Sequence, residues 1–275
     1  MEKQYIFESF SSVASFISTI DARPVKEGWG YLSSRTEDEQ WTTTKNYEEA
    51  TSLALYGDKK AADKVAKSLK KIKAENPCTE ERAMAKVKRT VAGSRPCVPA
   101  AIIGHPCSMY RRNVVKVSKP VVTVYYSISM CGGTSAETLA DAGAKVAQAI
   151  QTVERSGVRV NLYAGNTSCT GSQSIGCFVR IKDSAKDFDL LRMAYPIVNP
   201  SFFRRHWFHW AETKNELKTE EWHYGYGRPL DRKEEKETLQ KMHDSLIKCD
   251  FLFTTSNVLG MTADELAETI LGRKK

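Results

Sequence analysis

Val121-Val-Thr-Val-Tyr-Tyr-Ser-Ile-Ser129 is followed by Cys131-Gly-Gly-Thr-Ser135, by Ala136–Arg155, and by Val158-Arg-Val-Asn-Leu-Tyr-Ala164. The first run is β-branched and aromatic almost throughout, the composition of a strand buried on both faces. Ser135 can cap a helix whose apolar positions Leu139, Val146, Ile150 and Val153 keep helical spacing, and Gly157 ends it. Val158–Ala164 alternates as the next strand. Strand, helix and strand in about 35 residues predict a right-handed crossover joining adjacent parallel strands. Ile175-Gly-Cys-Phe-Val-Arg-Ile-Lys182 follows too soon for a second crossover, so it reads as an antiparallel edge strand.

On the C-terminal side, Lys233–Lys248 reads as an amphipathic helix and Asp250–Ser256 as a fourth strand. Thr262-Ala-Asp-Glu265 opens a last helix with a capping box. On the N-terminal side, Phe7, Phe10, Val13, Phe16 and Ile17 recur every three or four residues and predict one amphipathic helix. Asn46 or Thr44 caps a second helix that Gly57 ends. The Lys/Ala-rich stretch 58–75 carries the apolar stripe Ala61, Val65, Leu69 and Ile72. Its lysines fit either a solvated face or a phosphate backbone. Pro96, Pro99, Pro106 and Pro120 forbid long helices between 91 and 120, and Cys97–Arg112 reads as a compact turn that packs apolar groups. The expected fold class is α/β: a mostly parallel sheet with one antiparallel edge strand, flanked by helices, plus a helical N-terminal region. The expected division is 1–115, helical with a Pro-rich connector, and 116–275, the α/β domain.

Composition narrows the function. The 275 residues are 41% hydrophobic and 27% charged, which excludes wholesale disorder, and no run of 18 apolar residues suggests a membrane span. The start shows no secretory pattern, and seven cysteines without a Cys-x-x-Cys pair fit free thiols in a reducing cytoplasm rather than a structural zinc site. A net charge of +8 mildly favours an acidic partner.

Catalytic patterns are thin. Gly171-Ser-Gln-Ser-Ile-Gly176 misses a nucleophile elbow by one residue and no helix follows it. Cys131 sits where a strand meets a helix start, without an identifiable histidine partner. His206 and His209 share a helix face and with His223 could supply three metal ligands, but Trp207, Phe208 and Trp210 argue for an aromatic wall. There is no Walker A sequence and no Gly-x-Gly-x-x-Gly, so no cofactor is expected. The richest cluster is Arg204-Arg-His-Trp-Phe-His-Trp210. Arg204, Arg205, Trp207 and Trp210 could neutralise phosphate and stack bases of a single strand, with Arg111, Arg112, Arg180 and Lys182 extending the surface. The same residues also fit a core with arginines at its edge, and the bulk of Phe202 and Phe203 favours that account.

The order of elements over 115–273 resembles the von Willebrand factor A-like fold. That family carries Asp-x-Ser-x-Ser at the end of its first strand; the matching positions are Tyr125, Ser127 and Ser129. The resemblance implies a degenerate site that holds no cation, because hard cations want a charged oxygen where Tyr125 stands. Trp41-Thr-Thr-Thr-Lys-Asn-Tyr-Glu-Glu-Ala50, Val98-Pro-Ala-Ala-Ile-Ile-Gly-His-Pro-Cys-Ser-Met109 and Pro200-Ser-Phe-Phe-Arg-Arg205 resemble an uncharacterised family of tailed-phage proteins. That resemblance implies action inside an infected bacterium. The expected role is non-catalytic, a protein-interaction or scaffold function with a protein partner and no membrane. The alternative is a single-stranded nucleic-acid-binding accessory factor of phage transcription or replication.

Overall fold

The computed structural model describes residues 3–29, 31–70, 86–113, 119–131, 133–170, 172–222 and 232–272. In chain order its strands are β1 (Gln4–Phe10), β2 (Lys86–Thr90), β3 (Arg95–Pro96), β4 (Met109–Asn113), β5 (Val121–Ser127), β6 (Arg159–Cys169), β7 (Gln173–Lys182) and β8 (Phe251–Thr254). The helices are α1 (Val13–Asp21), α2 (Glu39–Thr42), α3 (Tyr47–Tyr56), α4 (Lys59–Lys70), α5 (Val98–Ile102), α6 (Ala136–Arg155) and α7 (Leu190–Val198). A π-helical stretch at Phe202–Trp207 runs into α8 (Phe208–Glu212); α9 (Thr219–Trp222), α10 (Arg232–Ser245), α11 (Thr255–Leu259) and α12 (Ala263–Ile270) follow. Among the described residues no helix is long and apolar enough to cross a membrane.

The chain divides into two compact units, residues 1–75 with 121–275, and residues 76–120. The larger holds a five-stranded sheet in the order β1-β7-β6-β5-β8. β5 pairs in parallel with both β6 and β8, β6 pairs antiparallel with β7, and β1 pairs in parallel with β7. The fold is therefore α/β with a mostly parallel sheet, and the crossover β5–α6–β6 lies where its sequence pattern places it. Ser135 caps α6 by accepting from the Thr138 amide. Gly143 lets α6 approach α7 closely: an added Cβ would sit 1.8 Å from the Ile197 carbonyl oxygen. One sheet face packs under a large core that includes Val124, Leu162, Val146 and Trp210; Tyr125, Phe178, Met242 and Cys249 form a smaller cluster that includes α10.

Three sequence expectations need correction. The single helix over Phe7–Ile17 is two elements, β1 and α1, separated where Ser12 and Ser15 form a reciprocal capping box. β1 lies against β7, so the antiparallel strand is not the sheet's edge. The boundary at 115 is also displaced: Phe16, Ala50 and Val65 from α1, α3 and α4 belong to the same core as Val124 and Leu162. The N-terminal helices thus complete the α/β unit, and the separate piece is 76–120.

That smaller unit is a three-stranded sheet, β2-β4-β3, with β4 antiparallel to both neighbours. Gly93 in the β2–β3 link lies so close to β4 that a Cβ would meet the Tyr110 carbonyl oxygen at 2.2 Å, which reserves the position for glycine.

Candidate nucleic-acid interface

The arginine–tryptophan cluster expected to form a groove is inside the larger unit. Arg204, Arg205, Trp207 and Trp210 are all buried, Arg205 and Trp210 completely. The Arg205 Nε donates to Thr44 Oγ1 at 2.7 Å. One terminal nitrogen donates to the carbonyls of Ser34 and Thr36, and the other to Thr42 Oγ1 and the Thr44 carbonyl. Arg204 donates to the carbonyls of Trp41 and Thr134 and lies over the Trp41 ring, 4.9 Å from its centroid. Burial lowers both guanidinium pKa values. The physical reason for the correction is the segment 34–44. Its irregular backbone leaves carbonyls without ladder partners, and buried carbonyls demand donors. Trp207 packs against Phe203, Phe208 and Trp210, and the Trp210 Nε1 donates to Glu8 at 2.8 Å.

Glu8 also receives Arg23 at 2.8 and 2.6 Å, and Lys214. Burial raises its pKa, but the hydrogen bonds from Arg23, Lys214 and Trp210 outweigh it and bring the carboxyl down to about 2. His206 is buried between Thr51 Oγ1 (3.2 Å) and the Tyr195 hydroxyl (3.4 Å). Burial first, then the neighbouring His209, Arg205 and Arg35, push it down to about 3. Its ring and that of His209 both pack on Tyr47, and the His209 Nδ1 lies 3.9 Å from Glu212. His223 lies outside the described residues, as does Gly171. Among the described residues no three His, Cys, Asp or Glu side chains are grouped to hold a metal ion.

The remaining positions also serve the fold. Tyr125, Ser127 and Ser129 are buried; Tyr125 packs edge-on against Phe178, and the Ser127 carbonyl accepts from Thr255. Arg180 pairs with Asp183 at 3.2 Å and donates to the Ser11 carbonyl. Lys182 is buried against Glu154 at 2.5 Å and donates to the carbonyls of Val160, Asp183 and Lys186. Neither offers its charge to a phosphate.

Arg111 and Arg112 lie elsewhere, on β4 of the small unit. The register puts Arg89, Tyr110 and Arg95 directly opposite one another across the three strands, so all three project from one face. Val87 continues that face, and Lys88 with Arg111 forms a basic pair on the other. Lys88, Arg89, Arg95 and Arg111 are exposed, and none makes an ion pair among the described residues. The Tyr110 hydroxyl and the Cys97 sulfur share a hydrogen bond that lowers the thiol's pKa and raises the phenol's.

A family model described as Domain of unknown function (DUF7192) matches residues 2–257. The chain belongs to the DUF7192 family. No curated protein and no solved structure matches it.

The DUF7192 match runs through both units, and charge is spread very unevenly between them. Residues 76–120 carry nine Lys and Arg against two Glu, a net of +7 out of the chain's +8. The other 230 residues are nearly neutral. Among its described residues the same unit exposes five large aliphatic side chains, Val87, Val91, Val98, Ile102 and Ile103. Sequence reasoning singled out only Arg111 and Arg112 here. A local charge count would have found Lys88, Arg89 and Arg95; Val98, Ile102 and Ile103 carry no such signal, because Cys97–Arg112 reads as a turn that hides them.

Proposed function

We propose that the chain is a nucleic-acid-binding protein whose contact module is residues 76–120. The observation that carries this reading is the concentration of charge. A net of +7 on 45 residues, with Lys88, Arg89, Arg95 and Arg111 exposed on a sheet and without ion pairs among the described residues, suits a polyanion. Protein–protein interfaces are depleted of charge at their centres, whereas protein–nucleic acid interfaces are strongly positive. In this reading the larger unit, with the element order that resembles a von Willebrand A-like fold, is the scaffold. The resemblance to tailed-phage proteins sets its action in the cytoplasm of an infected bacterium. The single-strand groove expected around Trp207 and Trp210 has no part in it, because those rings are enclosed.

A protein-scaffold role is the competing account, and binding to labelled 30-mer oligonucleotides across a salt series separates the two. The proposal expects micromolar or tighter binding at low salt, with log affinity falling against log salt at a slope of about −3 to −5, as for four or five phosphate contacts. Arg89→Glu with Arg95→Glu should weaken binding more than tenfold and flatten the slope. No binding at tens of micromolar protein in low salt would overturn the proposal in favour of the scaffold.

A further inference from the structure

We infer that the ligand of this module is duplex DNA, and that Ile102 and Ile103 act as apolar wedges that open a base step. The inference rests on the nucleic-acid reading above and concerns which form is bound and how.

Single-strand binding needs exposed aromatic faces on which bases stack. The described part of the small unit offers only Tyr110, which is half-buried and tied through its hydroxyl to Cys97. What it exposes is aliphatic: Ile102 is 78% and Ile103 76% accessible, with Val98 one helical turn before Ile102. Solvent-exposed isoleucines cost solubility and are unusual unless something covers them. Aliphatic side chains on a basic module have a known physical use against a duplex. They insert between base pairs, unstack one step and bend the helix, while nearby cations hold the phosphates on either side. Both observations, the charge and the bare isoleucines, then have one occupant. A polyanion supplies the complement to Arg89 and Arg95, which share one face, and a base step supplies the apolar slot.

The wedge is also well supported. α5 starts at Val98-Pro99, and the Ala101 amide closes its turn on the Cys97 carbonyl at 2.9 Å. Ala100 is buried and anchors the helix from below, and the His105 amide bonds back to the Ala100 carbonyl at 2.9 Å. The His105 Nδ1 in turn accepts from the Cys107 amide at 3.0 Å. Cys97 itself extends the β3–β4 ladder, its amide donating to the Ser108 carbonyl at 2.7 Å. A tip fixed at both ends can push on a base step without losing the force to its own motion.

The test uses the full chain, a 25-base-pair DNA duplex carrying a fluorescence donor and acceptor at its ends, the matching single strand, and a duplex RNA of equal length. The expected result is at least fivefold tighter binding to duplex DNA than to the single strand at one salt concentration, with a rise in energy transfer as the ends approach. Ile102→Ser with Ile103→Ser should abolish the rise and weaken duplex binding about fivefold while leaving single-strand binding unchanged. Both side chains are exposed, so the variant folds, which an unchanged melting curve checks. Salt-dependent binding with no rise in energy transfer, a rise that survives the double substitution, or equal or tighter binding to the single strand or to duplex RNA would overturn the wedge and leave the nucleic-acid reading standing. Failure to bind all three probes would overturn both.

Discussion

Arg205 and Arg89 are the same residue in opposite circumstances. Arg205 is sealed in the larger unit with hydrogen bonds from three of its nitrogens to carbonyls and hydroxyls of residues 34–44. Arg89 stands on an exposed strand with no acidic partner among the described residues. A guanidinium whose donors are already satisfied inside a protein is a structural rivet; one held at a surface beside others of its kind is a binding group. In the larger unit Arg204, Arg205 and Lys182 are spent on buried partners, whereas the smaller one presents Lys88, Arg89, Arg95 and Arg111. The two units should therefore respond in opposite ways to substitution, with stability failing in one and affinity in the other.

The sharpest break between them is Arg205→Met. It strips the buried Ser34 carbonyl and the half-buried Thr36 carbonyl of their Arg205 donor and leaves the Thr44 carbonyl with Thr42 Oγ1 alone, and a loss of about 2–4 kcal/mol of unfolding free energy is expected. Urea denaturation reads it directly. A loss under 1 kcal/mol would mean that segment 34–44 satisfies itself by other means. Next in size is Gly143→Ala. The new methyl would meet the Ile197 carbonyl, which is backbone and cannot swing aside, so about 1–3 kcal/mol is expected from separating α6 and α7.

Acid separates the units in the same sense. The folded value of His206, about 3, lies below its free value of 6.5, so the unfolded chain takes up that proton first. Stability falls as pH drops from 6.5 toward 3, with a slope of up to about 1.4 kcal/mol per pH unit. Glu8 adds a second window. Its folded value, about 2, lies below 4.5, so its contribution is complete above pH 4.5 and is lost as pH falls toward 2. Because the carboxylate is only half-buried, about 1–2 kcal/mol is a fair expectation for that step. Glu8→Gln should remove the lower window and leave the upper one; a pH profile unaltered by the substitution would detach Glu8 from acid stability.

What the residues alone reveal depends on how local the deciding contact is. β5, α6 and β6 are legible because a β-branched run, the Ser135 cap and Gly157 specify them within 40 residues. β1 is not, because Gln4–Phe10 is a strand only by virtue of β7, whose partner residues lie about 170 positions away. The short basic strands Lys86–Thr90 and Met109–Asn113 show no hydrophobic alternation and stand among prolines, so nothing in them announces a sheet. The misread arginines are the most instructive case. Arg204-Arg-His-Trp has the same composition whether it faces water or carbonyls, and the choice is made by Thr42 and Thr44, some 160 residues earlier. The basic unit was countable in the sequence, but a whole-chain net of +8 conceals that one sixth of the residues carries almost all of it.

The smallest stability effect tests the other half of the comparison. Neither Arg89→Glu nor Arg95→Glu removes an ion pair among the described residues, so Arg95→Glu should shift unfolding free energy by no more than about 0.5 kcal/mol and Arg89→Glu, which also gives up a contact with the buried Cys97 sulfur, by no more than about 1 kcal/mol. Each nevertheless replaces a cation by an anion in the row that includes Tyr110, two charge units per site on a face held open to a polyanion. Oligonucleotide affinity should fall severalfold for either substitution alone, and the fall should shrink as salt rises, because screening weakens what the charge supplied. Stability lost in step with affinity would mean that these arginines hold the small sheet together, and the contrast with Arg205 would collapse. Affinity lost from an intact fold would fix the division of labour between the two units at the level of single guanidinium groups.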